Sequence, residues 1–222
     1  MAEIVYLDSP LESEALFERL CPPVRQWFKD KFPDFTPPQK LAIPAIMDQQ
    51  HLLLCSPTGS GKTLTAFLTV IDQLVRLALE RKLEKKVHAI YISPIKALAN
   101  DIQRNLIGPL NEITEHYLPD RAQEIRVGLR TGDTSQSDRQ KMLRNPPHIL
   151  ITTPESLAIA ITSPRFQPIV SEVEYMIIDE LHSMVSTKRG VHLSLTLSLL
   201  DSLLKNPVQR IGISATMEPL ET

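Results

Sequence analysis

Six short apolar runs punctuate the chain, at 52–55, 87–93, 125–129, 148–152, 173–178 and 208–213. Between most of them lie longer stretches with apolar residues at helical spacing. Runs this short suit strands, and the amphipathic stretches suit helices. Strands alternating with helices imply an α/β fold with a mainly parallel sheet and helices on both faces. In such sheets ligands bind outside the carboxyl ends of the strands. Here the chemistry-bearing clusters follow strands: Ser56–Thr63, Pro94–Lys96, Thr131–Asp133, Thr153–Glu155, Asp179–His182 and Ser214–Thr216. All are expected to meet along one rim. One segment is ambiguous. Val191, Leu193, Leu195, Leu197 and Leu199 alternate as in a strand, whereas Leu193, Leu197, Leu200 and Leu204 fit a helix. A helix is expected, because the other strand pairs are joined by helical crossovers.

The run Leu52–Cys55 suits a buried strand, with Cys55 a buried thiol. It leads into Ser56, Pro57, Thr58, Gly59, Ser60, Gly61, Lys62 and Thr63, and then into a periodic helix with Leu64, Phe67, Ile71, Leu74 and Ala78. This is the layout of a phosphate-binding loop, with Ser56 where the usual pattern has glycine. Glycine lets the backbone curl so that successive N–H groups face an anion, and the helix brings its positive end to the same place. Lys62 is placed to reach the outer phosphates, and the Thr63 hydroxyl to hold magnesium.

Asp179 ends an apolar strand, where the metal of a bound nucleotide needs a second protein contact. The adjacent Glu180 points elsewhere and is free to orient or deprotonate a water. Both acids also fit a helix start favoured by the dipole. Gln39, in the first turn of a helix opened by Pro37-Pro38, fits either a solvated amide or a donor–acceptor pair for an adenine edge. A lone His182 is more often structural than catalytic, and Ser214 and Thr216 are equally caps or links to the acidic loop.

The 222 residues suit one large domain, and the net charge of −2 offers no global field for nucleic acid, so any such contact is local. Two cysteines, Cys21 and Cys55, and a start containing Glu3 and Asp8 without a signal-peptide pattern fit a reducing cytoplasm. No apolar run nears bilayer length.

Taken together, the motifs resemble those of the first RecA-like motor domain of superfamily-two helicases. The phosphate loop, Asp179-Glu180-Leu181-His182 and Ser214-Ala215-Thr216 are similar to that family's first, Asp-Glu-x-His and third motifs. Thr36-Pro37-Pro38-Gln39 looks like the adenine-sensing glutamine motif. Ser93 to Asp101, Thr131-Gly132-Asp133 and Thr152 to Leu157 look like nucleic-acid motifs. Thr187-Lys188-Arg189-Gly190-Val191-His192 and Ser214 to Glu221 look most like the large helicase-related (Lhr) group, which is similar to Ski2-like helicases.

The resemblance implies ATP and Mg2+ as cofactors, and 3′-to-5′ movement on single-stranded DNA or RNA. By it, Lys62, Asp179 and Glu180 would be catalytic, Thr63 and Asp179 would hold the metal, and Gln39 would read adenine. His182, Ser214 and Thr216 would couple hydrolysis to movement, and Pro94, Lys96, Gly132, Thr153 and Pro154 would line the strand path. It divides the chain into an N-terminal helical segment, 1–36, packed on a helicase ATP-binding domain, 37–222. Family members continue into a second motor domain with an arginine finger. Neither Arg210, read in a strand, nor Arg189, read in a loop, replaces it, so the isolated chain is expected to be nearly inactive. A nucleotide-gated switch that grips nucleic acid without unwinding is the alternative.

Overall fold

The computed structural model describes residues 4–57, 59–94, 99–120 and 122–215, with only the backbone of residues 99 and 100. Thr58, Lys96 and Thr216 therefore lie outside the described residues.

A six-stranded sheet runs in the order β1-β6-β5-β2-β4-β3, and every neighbouring pair is parallel. The strands are β1 (Leu52–Cys55), β2 (Ala89–Ile92), β3 (Val127–Arg130), β4 (Ile149–Thr152), β5 (Tyr175–Ile178) and β6 (Gln209–Ser214). Several are shorter than their apolar runs. Four strands end level, with Ile92 opposite both Thr152 and Ile178 and Arg130 opposite Thr152, while β6 and β1 run two residues further, with Ile178 opposite Gly212 and Cys55 opposite Ser214. The carboxyl ends thus form one rim, as the sequence implies.

Side chains alternate across a strand, and each face of the sheet has its own core. Ala89, Tyr91, Ile149, Ile151, Tyr175, Ile177, Ile211 and Ile213 enter one cluster, while Ile90, Ile92, Leu150, Met176 and Ile178 enter the other. The first core is covered by α1 (Ser13–Arg19), α2 (Pro22–Lys31), α3 (Pro37–Met47), α4 (Lys62–Leu79) and α6 (Gly108–His116). The second is covered by α8 (Pro154–Ile161), α9 (Gln167–Val170) and α10 (Lys188–Leu203). Between them, α5 (Ala99–Ile102) runs through a π-turn, Gln103–Ile107, into α6, and α7 (Gln136–Arg144) follows β3.

The ambiguous stretch is the helix α10. Its one face buries Leu193 and Leu200, and Val191, Leu195 and Leu199 stay exposed on another. The strand-like alternation comes from a helix that carries leucines on both its buried and its exposed sides.

Two expectations change. Among the described residues the Leu52–Cys55 run is not a buried strand but an edge strand: Leu53 is 48 % exposed and Cys55 half-buried. An apolar run reports strand character, not whether a neighbour lies on each side. Arg189 lies not in a loop but in the first turn of α10.

Candidate nucleotide site

The phosphate loop turns on Gly59 (φ 83°) and Gly61 (φ 86°), the left-handed conformations glycine allows without strain. Gly61 is the residue before α4, so Lys62 and Thr63 open that helix. Ser56, the departure from the usual glycine, shares a 2.6 Å hydrogen bond between its Oγ and that of Ser60, which stitches the loop across its base. The Lys62 ammonium donates to the carbonyls of Ser56 and Pro57, at 2.7 Å for the latter. Further along α4, the Thr65 and Thr69 hydroxyls are bonded to helix carbonyls. Among the described residues the Thr63 hydroxyl has no such partner, and it lines the cleft.

The Thr36–Gln39 segment is tied to this loop. Thr36 Oγ1 donates to the Ser60 carbonyl at 3.1 Å, and Gln39 Oε1 accepts the Thr36 N–H at 2.8 Å, one arm of a capping box. Gln39 is buried and its amide nitrogen lies against Gly61. It is therefore not the solvated amide that its position in a first turn allowed.

Asp179 follows β5, and Tyr91 belongs to β2, the next strand. The Tyr91 hydroxyl donates to Asp179 Oδ2, and the Glu180 N–H donates to Oδ1 at 2.7 Å. Burial pushes the Asp179 carboxyl above its usual range, opposed by the Tyr91 hydrogen bond, the Glu180 N–H and the positive charge of Lys62. Burial, and then the facing carboxylate, pushes the Tyr91 phenol up. The crevice between β5 and β2 is a switch point of the fold, since the segment after β2 packs on one face and α10 after β5 on the other.

Lys62, Thr63, Asp179, Glu180 and Gln39 all line one cleft of about 780 Å³. Its far wall was not legible in the sequence: Trp27 and Phe32 at the end of α2, and Gln103, Arg104 and Asn105 on the π-turn. A π-turn inside a helix often marks a functional site, but its signal lies in backbone geometry.

Glu180 takes a left-handed backbone, φ 54°, unusual for a non-glycine residue. It stands ahead of a short 3-10 turn, Leu181–Ser183, rather than an α-helix. His182 Nδ1 accepts the Ala215 N–H at 3.2 Å and lies 3.2 Å from Ser214 Oγ. With Nδ1 accepting, the ring proton of a neutral imidazole sits on Nε2, 3.1 Å from Glu180 Oε2. Glu180, His182 and Ser214 thus form one connected line from the cleft to the end of β6.

On the other half of the rim, Gly132 is exposed in the turn after β3. Pro94 and Pro154 are buried, and Thr153 caps α8 by accepting the Ser156 N–H at 3.3 Å.

A family model described as DEAD/DEAH box helicase matches residues 36–222. The chain belongs to this family. Among DEAD/DEAH box helicases it is 50 % identical to the ATP-dependent helicase Lhr-Core of Methanocaldococcus jannaschii over 222 residues, 99 % of this chain and 26 % of that protein. It is 45 % identical to the Lhr helicase/uracil glycosylase of Escherichia coli, over 95 % of this chain and 14 % of that one. Its fold overlays the helicase Lhr of Mycobacterium smegmatis, solved bound to ssDNA and AMP-PNP, with a TM-score of 0.82 and 45 % identity, covering 91 % of this chain and 26 % of that one. The DEAD-box helicase Mss116, at 21 % identity and a TM-score of 0.75, shares the fold. The RecA-like α/β fold and the likeness to the large helicase-related group therefore hold. The chain spans about a quarter of the length of the Lhr-Core relatives it matches.

Proposed function

We propose that this chain is the first motor domain of an ATP-driven helicase that moves 3′ to 5′ on single-stranded DNA or RNA in the cytoplasm. A second motor domain of the same polypeptide would complete the site. The observation that carries this reading is the common cleft: Lys62 and Asp179, 117 positions apart by their numbers (179 − 62), face the same space and act electrostatically on each other.

The loop N–H groups and the amino end of α4 would receive the phosphates of ATP. Lys62 would exchange its carbonyl partners for phosphate oxygens. Thr63 and Asp179 offer the hydroxyl and carboxylate oxygens that suit a hard cation and would hold magnesium, which when bound neutralises charge on the phosphates. Glu180 would orient and deprotonate the attacking water, with His182 Nε2–H steadying its carboxylate. Gln39 would turn its amide toward adenine, and the Phe32 ring, which lines that cleft, would support the purine. His182 and Ser214, with Thr216, would report the state of the site to β6 and beyond. The segments at Pro94, Lys96, Gly132, Thr153 and Pro154 would carry the strand, largely through backbone and phosphate contacts. The division at residue 36 is part of the same proposal.

The test is ATP hydrolysis by the full-length protein with and without single-stranded DNA and RNA, alongside displacement of a duplex carrying a 3′ or a 5′ overhang. Stimulated hydrolysis and displacement from the 3′ overhang are expected, both lost in Lys62→Ala. Stimulated hydrolysis without displacement would leave a nucleotide-gated switch instead.

A further inference from the structure

The first turn of α10 begins Lys188-Arg189. This is the positive end of a helix dipole, where cations are disfavoured. The preceding turn is nevertheless built to put them there. Thr187 Oγ1 donates to the Met184 carbonyl at 2.7 Å and accepts the Gly190 N–H at 3.1 Å. A Cβ on Gly190 would come within 2.2 Å of that same carbonyl. Ser186 takes a left-handed backbone, φ 59°.

What this geometry achieves is the aim of one guanidinium. Arg189 Nε donates to Glu155 Oε1 at 2.7 Å, and Nη2 donates to Oε2 at 3.2 Å and to the Pro94 carbonyl at 2.9 Å. Glu155 is in the first turn of α8, after β4, and Pro94 lies just beyond β2. Arg189 itself follows β5 through the acidic segment. The strands β5, β2 and β4 are consecutive in the sheet. One side chain therefore ties the acidic segment's exit to the ends of the next two strands on that side of the rim, at Pro94 and Glu155. Its ion pair is about half exposed, 46 % and 50 % for the two side chains, and exposed pairs add little stability.

We propose that Arg189 is a positioning residue that holds Pro94, at the end of β2, and the amino end of α8 in the arrangement through which a bound strand stimulates hydrolysis at Glu180. This rests on the helicase reading. Lysine would keep the charge but lose the fork that reaches two partners at once.

The test compares Arg189→Gln, Arg189→Lys and the double variant Arg189→Gln/Glu155→Gln with the parent full-length protein, measuring ATP hydrolysis against the concentration of oligo-dT or oligo-U. In Arg189→Gln the concentration giving half-maximal stimulation is expected to rise about five-fold or more, the lower end of typical coupling between sites. The unstimulated rate and the melting temperature stay parental. Arg189→Lys falls between, and the double variant is no worse than Arg189→Gln alone. Stimulation of Arg189→Gln at parental oligonucleotide concentrations overturns the proposal. So does a joint fall in melting temperature and unstimulated rate, which is a folding role. If neither oligonucleotide stimulates the parent, the helicase reading fails and the Arg189 assignment falls with it. A defect confined to the variants leaves that reading standing.

Discussion

Asp179 must be ionised to hold a cation, yet burial favours its neutral form. The Tyr91 hydroxyl offsets part of that penalty by hydrogen-bonding the carboxylate. Tyr91→Phe removes the bond, so the Asp179 pKa rises further. The acidic limb of hydrolysis by the full-length protein is therefore expected to shift to higher pH, while the alkaline limb stays. A pH–rate profile checks this, and an unmoved acidic limb would count against Asp179 as the metal holder. His148 gives a second pH effect, far from the cleft. It is buried at the start of β4, where burial, then Arg126, then His88, hold its pKa at about 3 against 6.5 for a free ring. The unfolded chain takes up a proton there that the folded one refuses, so this contribution to stability is complete above about 6.5 and fades as pH falls toward 3. His148→Gln should show a shallower loss of melting temperature between neutral and mildly acidic pH. Lys62, Thr63, Asp179 and Glu180 were legible because each sits in a contiguous motif whose neighbours restrict its meaning. Tyr91 was not. Its role depends on β2 lying beside β5, which local pattern does not encode, and a tyrosine in an apolar run reads simply as core.

Elements were legible wherever periodicity was clean, and their edges were not. The six strands stand where the apolar runs fall, and α10 is the helix that crossover logic requires. Runs of valine and isoleucine end more gradually than hydrogen-bond ladders, so most of the strands came out shorter. The edge position of β1 depends on sheet order, which no single run carries. The opening of α10 depends on Gly190, whose missing Cβ leaves room for the Met184 carbonyl. Gly190→Ala is expected to destabilise the fold by about 1–3 kcal/mol, the range for a local clash in packed structure. Denaturant melts would check it, and an unchanged midpoint would mean the turn relaxes freely.

At the scale of the whole molecule, both apolar cores and the cleft come from a single sheet. The described residues contain no helix long and apolar enough to cross a membrane. On the proposed function an arginine finger would come from a second motor domain, and such a finger is worth about 10³–10⁵ in rate. The isolated 222-residue chain is therefore expected to turn over ATP at less than about one per second, below the usual enzyme range. A Lys62-dependent rate above that, measured on this chain alone, would show that it needs no second domain for chemistry.

Parallel strands bonded edge to edge make a stiff shelf. Every neighbouring pair is bonded, so one strand cannot slide past the next without breaking a whole ladder. A change in what the cleft holds cannot be absorbed as shear beneath it. On the proposed function, losing one phosphate would then be felt as a tilt of the loops standing on the shelf, the only parts of the platform left free to turn it into a step.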